Sequence, residues 1–229
     1  MAIRTSRSTS EVTRHRVFVV DDHPMMRVGL KLFLGEVSDL SVCGEASTAD
    51  EAIRAMDLAR PDVVLLDISL NGRSGLDVLK DFRVFHRRVP VLVHSMHDET
   101  IFAERALRAG ARGYLMKQET GDYVIRALRQ VLRGEIYLSE RLRISVHSFG
   151  SQREVRTPIS TLTDREFEVF RLIGGGRSSS QIAEELHLGL KTIDAHREHM
   201  KRKLKVRGST ELNLLAVRWV ASEVGSTEV

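Results

Sequence analysis

The sequence predicts an α/β domain, a five-stranded doubly wound parallel sheet, followed by a small all-α domain of four helices. Three observations predict it. Between Arg16 and Leu132, strand-like apolar runs alternate five times with helically spaced ones, the pattern of βα units feeding a parallel sheet. Two of those runs contain no polar residue and end in acid: Val17 to Val20 meets Asp21 and Asp22, and Val63 to Leu66 meets Asp67. A strand apolar on both sides is a strand buried on both faces. After a polar stretch interrupted by Gly150 and Pro158, the spacing becomes helical.

Composition bounds the rest. A chain of 229 residues is long enough for two domains that each bury a core. With 29% charged and 42% hydrophobic residues, it has the balance of a soluble globular protein. It lacks the run of roughly 20 apolar residues that a membrane helix needs, so no membrane association is expected. The opening MAIRTSRSTSEVTRH has no apolar signal region, and residues 1–15 are expected to be a disordered tail. The single cysteine, Cys43, excludes an intrachain disulfide framework and suits a reducing cytoplasm, with core packing as its expected role. Net charge is only +4, yet Arg197, Lys201, Arg202, Lys203, Lys205 and Arg207 crowd one short segment, an electrostatic footprint for polyanions.

Taken in order, strands are expected near Val17–Val20, Leu40–Gly44, Val63–Leu66, Val91–Val93 and Gly113–Met116. Helical spacing joins Ala49, Ala52, Ile53, Met56 and Ala59, and again Val124, Ile125, Leu128, Val131 and Leu132. Ligands of open α/β sheets bind outside the carboxyl ends of the strands. Asp21, Asp22 and Asp67 all arrive at that edge, a crowd of carboxylates that needs a hard cation such as Mg²⁺. Strand 4 brings Ser95 to the same edge, and strand 5 brings Lys117. Asp67 is then a carboxylate nucleophile, with Asp21 and Asp22 as metal ligands. The Ser95 hydroxyl and the Lys117 ammonium remain for phosphoryl oxygens. His23 is expected to be a turn or helix-start residue, since carboxylate oxygen suits Mg²⁺ better than imidazole does.

On these residues the segment 16 to 132 resembles the flavodoxin-like receiver domain of response regulators. The resemblance implies Asp67 as phosphoacceptor, Asp21 and Asp22 as the acidic pair, Ser95 as the switch hydroxyl and Lys117 as the lysine of that motif. It implies Tyr114 as a switch aromatic that turns inward, and the main-chain carbonyl of Ser69 as a further metal ligand. Asn71 and Gly72 stand where such domains often carry proline, which implies a looser turn. His97 and Ser69 fall where side chains influence an attacking water, and His97 is expected to be an exposed loop histidine.

The receiver is expected over residues 16–138 and a flexible linker over 139–160. A coil of roughly 20 residues spans about 25 Å, so the two domains are free to touch or separate. Over 161–222, Thr163 with Glu166 makes a capping box, Ser180 is expected to cap a second helix, and Gly189 leads into a third over about Lys191–Leu204. That spacing is helix-turn-helix. A fourth helix carries Leu212, Leu215, Ala216 and Trp219 at amphipathic spacing, and 223–229 forms a tail.

LTDREFEVFRLI, IAEEL and KTIDAHREHMKRKL resemble the LuxR-type output domain of NarL/FixJ-family regulators. The resemblance implies that Lys191, Asp194, Ala195 and Glu198 face base edges and that Thr192, Arg197, Lys201 and Lys203 face phosphates. Asp194 and Glu198 depart from base-reading cations, and would accept from cytosine or be held off the DNA. His196 is expected to pack structurally. Leu212, Leu215, Ala216 and Trp219 are expected in a homodimer contact, with paired half-sites roughly 34 Å apart.

The whole is expected to be a two-component transcription factor. A histidine kinase phosphorylates Asp67 with Mg²⁺ as cofactor, and dimerisation or interdomain contacts change, for instance by release of the third or fourth helix from the receiver. Double-stranded DNA and RNA polymerase are the further expected partners. It is not expected to be a metabolic enzyme, although loss of the phosphoryl group by its own action is. The alternatives are a phosphorylation-independent dimeric DNA-binding regulator and, more remotely, a phosphatase with an aspartyl nucleophile. Ser69 stands where phosphatases of the haloacid dehalogenase type want a second acid.

Overall fold

The computed structural model describes residues 14–70, 73–97, 99–119, 121–143 and 158–225. The turn at Asn71 and Gly72, most of the N-terminal tail and the middle of the expected linker, 144–157, lie outside the described residues.

The first domain runs β1(His15–Val20), α1(Pro24–Gly35), β2(Leu40–Ala46), α2(Ala49–Ala59), β3(Val63–Leu66), α3(Gly75–Phe85), β4(Val91–Ser95), α4(Glu99–Ala109), β5(Gly113–Met116) and α5(Gly121–Leu132). The sheet is wholly parallel with order β2-β1-β3-β4-β5. Strand alternation divides the core. Val17, Val19, Leu65, Leu92 and Leu115 face α1 and α5, while Phe18, Val20, Val64, Leu66 and Val93 face α2, α3 and α4. Both faces are covered, which is why the strand sequences are continuously apolar rather than alternating. The order reverses at β1 and β3, so the crevice at their carboxyl ends receives Asp21 and Asp67. Cys43 is half-buried, and burial pushes its thiol up, away from reactive thiolate.

Gly75 lets the first turn of α3 lie against the backbone of the loop after β3. A Cβ there would run into the main chain of Asp67 and Ile68, and its N–H donates to the Ile68 carbonyl at 3.0 Å. Any other residue would push α3 off the loop that carries Asp67.

The second domain is α6(Asp164–Gly174), α7(Ser179–Glu185), α8(Leu190–Leu204) and α9(Ser209–Gly225), preceded by a 3-10 turn over Pro158–Thr161. The capping box of Thr163 and Glu166 opens α6, as its sequence requires. The second helix starts earlier than its serine run suggested. Ser178, not Ser180, is the cap, because only Ser178 has a glutamine three residues on, Gln181, to return the hydrogen bond. Gly189 caps α8 without a side-chain bond. Gly174 permits α6 and α9 to cross closely, since a Cβ would meet the Ala216 carbonyl and the Val220 side chain.

The two domains touch. Ser139 donates to Glu99 at 2.6 Å and Leu142 is buried, so the start of the expected linker belongs to the packed structure. The apolar cluster on the α2–α4 side continues into Leu162, Phe167 and Phe170.

Candidate functional site

Three strand ends, two bearing an acid and one a lysine, make the site. Asp21 follows β1, its main-chain N–H bonded to the Ala46 carbonyl at 3.1 Å, and Asp67 follows β3, its N–H bonded to the Val20 carbonyl at 2.8 Å. Lys117 follows β5 and is tied by its N–H to the Ser95 carbonyl at 2.8 Å. The ladder thus fixes the backbone of each group before any side-chain contact forms. Nζ of Lys117 then lies 2.7 Å from Asp21 Oδ2 and 2.7 Å from Asp67 Oδ2, with all three side chains buried.

Burial pushes the Asp67 carboxyl up, opposed by Lys117 and by the Ser69 N–H that donates to Oδ1 at 2.9 Å. Lys117 is desolvated, which favours its neutral form, but the two carboxylates outweigh this and raise its pKa. Asp67 is therefore a buried carboxylate held against a cation in a low-dielectric setting.

The donor set fits a hard cation. Carboxylate oxygens of Asp21, Asp22 and Asp67, with a ring nitrogen of His23, lie within 4.8 Å of one another. Asp22 Oδ1 is buried without a hydrogen-bond partner, with His23 Nδ1 2.8 Å away and hydrogen-bonded instead to Asp21 Oδ1 at 3.2 Å. His23 is the N-cap of α1 ahead of Pro24, with its ring over the acids and largely exposed. Ser69 is held beside Asp67 by its own N–H.

Ser95 is fully buried. Its Oγ accepts from the main-chain N–H of His97 at 3.2 Å, and the Tyr114 hydroxyl donates to the His97 carbonyl at 3.0 Å. Tyr114 has no exposed surface, so the aromatic already points inward. His97 is not the exposed loop histidine its sequence position suggested. Its side chain is 25% exposed, stacked on Phe102 at 4.5 Å, with Nε2 3.5 Å from Glu168 and Nδ1 3.5 Å from Arg171.

Those partners belong to α6, and they open an interface that sequence periodicity could not reveal. Arg105 of α4 lies over the Phe167 ring at 3.9 Å and donates to the carbonyls of Leu162 and Ile159 and to Asp164 Oδ1. Lys80 of α3 donates to Asp164 Oδ2 at 2.9 Å. The receiver therefore grips the first turn of α6, which corrects the expectation that it holds the third or fourth helix. The only advance signal was a run of charge at Asp164, Arg165, Glu166 and Glu168 that also fitted a solvated helix face.

On α8, Lys191, Thr192, Asp194, Ala195 and Glu198 are exposed, all five of them on a face that the receiver leaves open. Glu198 is paired with Lys201 at 2.6 Å, which offsets its charge. Besides Lys201, two more of the expected phosphate contacts are already engaged within the domain: Arg197 donates to Asn213 at 2.8 Å, and Lys203 to Glu166 at 2.6 Å. His196 is half-buried, and burial lowers its pKa, as a packed histidine requires. On α9 the expected dimer stripe is turned inward. Leu212 and Ala216 are fully buried, Leu215 is half-buried, and Trp219 packs on Phe167 and Phe170. Four helices leave no other core for the domain, so this stripe fills it. Leu214 and Val217 are exposed apolar residues of α9.

A buried lysine bridging two strand-end acids, in a receiver fold joined to a helix-turn-helix, defines a two-domain response regulator. The response regulator receiver domain family matches residues 17–129, and the luxR family of bacterial regulatory proteins matches residues 160–216. The chain is 32% identical to the nitrate/nitrite response regulator protein NarL of Escherichia coli (strain K12), over 90% of this chain and 95% of that protein. It is likewise 32% identical to response regulator GacA of Pseudomonas viridiflava, over 89% of this chain and 95% of that one. By fold it resembles RcsB from Salmonella enterica serovar Typhimurium bound to promoter rprA. The TM-score is 0.59 over 88% of this chain and 97% of that one, at 22% identity. The chain belongs to the NarL/FixJ family of response regulators, with a receiver domain and a LuxR-type DNA-binding domain. No described helix is long and apolar enough to cross a membrane.

Proposed function

We propose that this regulator is a cytoplasmic, phosphorylation-controlled transcription factor. It takes a phosphoryl group on Asp67 from a histidine kinase and binds double-stranded DNA as a homodimer. The observation that carries the reading is the Asp21–Lys117–Asp67 bridge, two 2.7 Å contacts at the sheet's carboxyl edge, in one chain with a helix whose base-facing residues are exposed.

An oxygen of Asp67 attacks phosphorus, the bond from phosphorus to the donor's imidazole nitrogen breaks, and that nitrogen keeps the electron pair. Lys117 turns from the carboxylates to a phosphoryl oxygen, and the Ser95 hydroxyl donates to another. Asp21, Asp22, Asp67 and the Ser69 carbonyl would hold Mg²⁺, which supplies charge compensation as the dianion approaches. The same groups admit water, so the aspartyl phosphate hydrolyses without a separate enzyme.

In the second domain Lys191, Asp194, Ala195 and Glu198 meet base edges in the major groove, and Thr192 and Lys201 meet phosphates. Bound at a promoter, the dimer is positioned to contact RNA polymerase. DNA binding by the RcsB structures supports the same use of this domain.

The test is incubation of purified protein and the Asp67→Asn variant with acetyl phosphate, with and without Mg²⁺, followed by intact mass and sedimentation. A Mg²⁺-dependent adduct on wild type alone, with a shift toward dimer or tighter operator binding, is expected. No adduct from either acetyl phosphate or a panel of histidine kinases overturns the reading.

A further inference from the structure

We propose that His97 couples the phosphorylation site to the second domain, closing the contact between α4 and α6 in the unphosphorylated chain and loosening it once Asp67 carries a phosphoryl group. This rests on the phospho-switch reading above and adds the residue and the surface through which it acts.

His97 has two sets of contacts facing opposite ways. Its backbone is read by the switch pair, with its N–H on Ser95 Oγ at 3.2 Å and its carbonyl on the Tyr114 hydroxyl at 3.0 Å. Its imidazole belongs to the interface, 3.5 Å from Glu168 Oε1, 3.5 Å from Arg171 and stacked on Phe102.

Direction follows from what a hydroxyl can do. Ser95 has one proton to donate and lone pairs to accept with. Donating to a phosphoryl oxygen on Asp67 draws Oγ toward that oxygen while it still accepts from His97, so the turn carrying His97 is drawn along. Nδ1 lies 3.5 Å from Arg171, the outer limit of a hydrogen bond, and Nε2 approaches Glu168 to 3.5 Å without an aligned hydrogen bond, so a further displacement of about 0.5–1 Å ends both contacts. Glu168 is then left as a buried carboxylate paired through Arg165 alone. The Arg105 and Lys80 grip on Asp164 remains, so the change is a shift of population and not an all-or-none release.

The consequence for DNA is orientation. The base-facing residues of α8 are exposed while the domains are closed, so loosening does not uncover them. It lets two copies of the domain adopt the spacing of paired half-sites, roughly 34 Å.

The experiment uses the full chain in a Cys43→Ser background, with a fluorophore pair on Leu58→Cys and Glu184→Cys, both exposed positions. Labelled protein is diluted in an excess of unlabelled protein so that only transfer within one chain is read. Wild type should lose transfer on treatment with acetyl phosphate and Mg²⁺. His97→Ala should show that loss without donor, with the open-to-closed ratio raised about 2- to 10-fold, and donor should change it little further. His97→Gln, which keeps a donor toward Glu168, should behave as wild type. Adduct formation on each variant, by intact mass, shows that the receiver is folded. Wild-type transfer in undosed His97→Ala, or a full donor response in that variant, overturns the coupling. If wild type takes no adduct, the phospho-switch fails, and the undosed His97→Ala arm alone decides whether His97 holds the domains together.

Discussion

Lys203 Nζ donates to Glu166 Oε2 at 2.6 Å, so the last turn of the helix offered to DNA is pinned to the first turn of the helix held by the receiver. Glu166 is 3% exposed and also accepts from the Thr163 N–H at 2.8 Å. Burial alone would raise its carboxyl, but Lys203 and Thr163 outweigh burial and hold it below the ordinary range. A lysine that looked like a phosphate contact is a structural tie.

Lys203→Met should therefore destabilise the second domain by about 1–2 kcal/mol, the ammonium being a third exposed and the carboxylate left short of a partner. Because the folded-state pKa of Glu166 is lowered, this stability is present above about pH 4.5 and lost as pH falls through the folded value. Denaturant curves at pH 7 and pH 3.5 check it, and the gap between wild type and variant should close at the lower pH. Lys191→Ala, by contrast, should leave stability unchanged, weaken operator binding by about 1–3 kcal/mol and relax specificity at the base pair it faces.

Lys117→Met should leave Asp21 and Asp67 facing each other without their shared cation, at a cost of about 3–5 kcal/mol in metal-free buffer. Added Mg²⁺ should restore part of it, so the thermal midpoint of the variant should rise with Mg²⁺ more than that of wild type. The rate of phosphorylation by acetyl phosphate should fall about 100-fold, as for loss of one preorganised charge at a transition state. Equal Mg²⁺ shifts in both proteins would refute the shared-site argument.

His94 is buried on β4, and desolvation together with Lys117 lowers its pKa from 6.5 to about 4. The folded state thus keeps it neutral while the unfolded chain takes up a proton. Stability from this residue is complete above about pH 6.5 and declines as pH falls toward 4, by about 3 kcal/mol in all at 1.36 kcal/mol per unit. His94→Leu should flatten receiver stability across that window in urea titrations. An unchanged slope would mean that the imidazole is not held neutral.

Leu212→Ala should cost about 2–5 kcal/mol, since Leu212 fills the core of its own domain. Leu214→Asp, at a half-exposed position, should stay within about 0.5 kcal/mol of wild type in stability and yet weaken assembly on paired half-sites. Thermal melts alongside sedimentation on DNA separate the two.

The sequence by itself determined the sheet, its burial on both faces and the delivery of Asp21, Asp67, Ser95 and Lys117 to one edge. These are local facts, because a strand's period and its terminal residue are written in consecutive positions. The capping box at Thr163 was equally legible, being a four-residue pattern, and Ser178 rather than Ser180 caps α7 because Gln181 stands three residues on. Tertiary structure alone decided what partners the long side chains took. Lys203 and Arg197 stand on a basic helix whose composition suits DNA, but Glu166 and Asn213 come from helices whose approach no spacing encodes. The stripe of Leu212 and Ala216 specified an apolar face without saying what would cover it. His97 needed most of all to be seen in place, since its role arises where the turn after β4 meets a domain that begins more than sixty residues later in the chain, a contact set by packing and not by pattern.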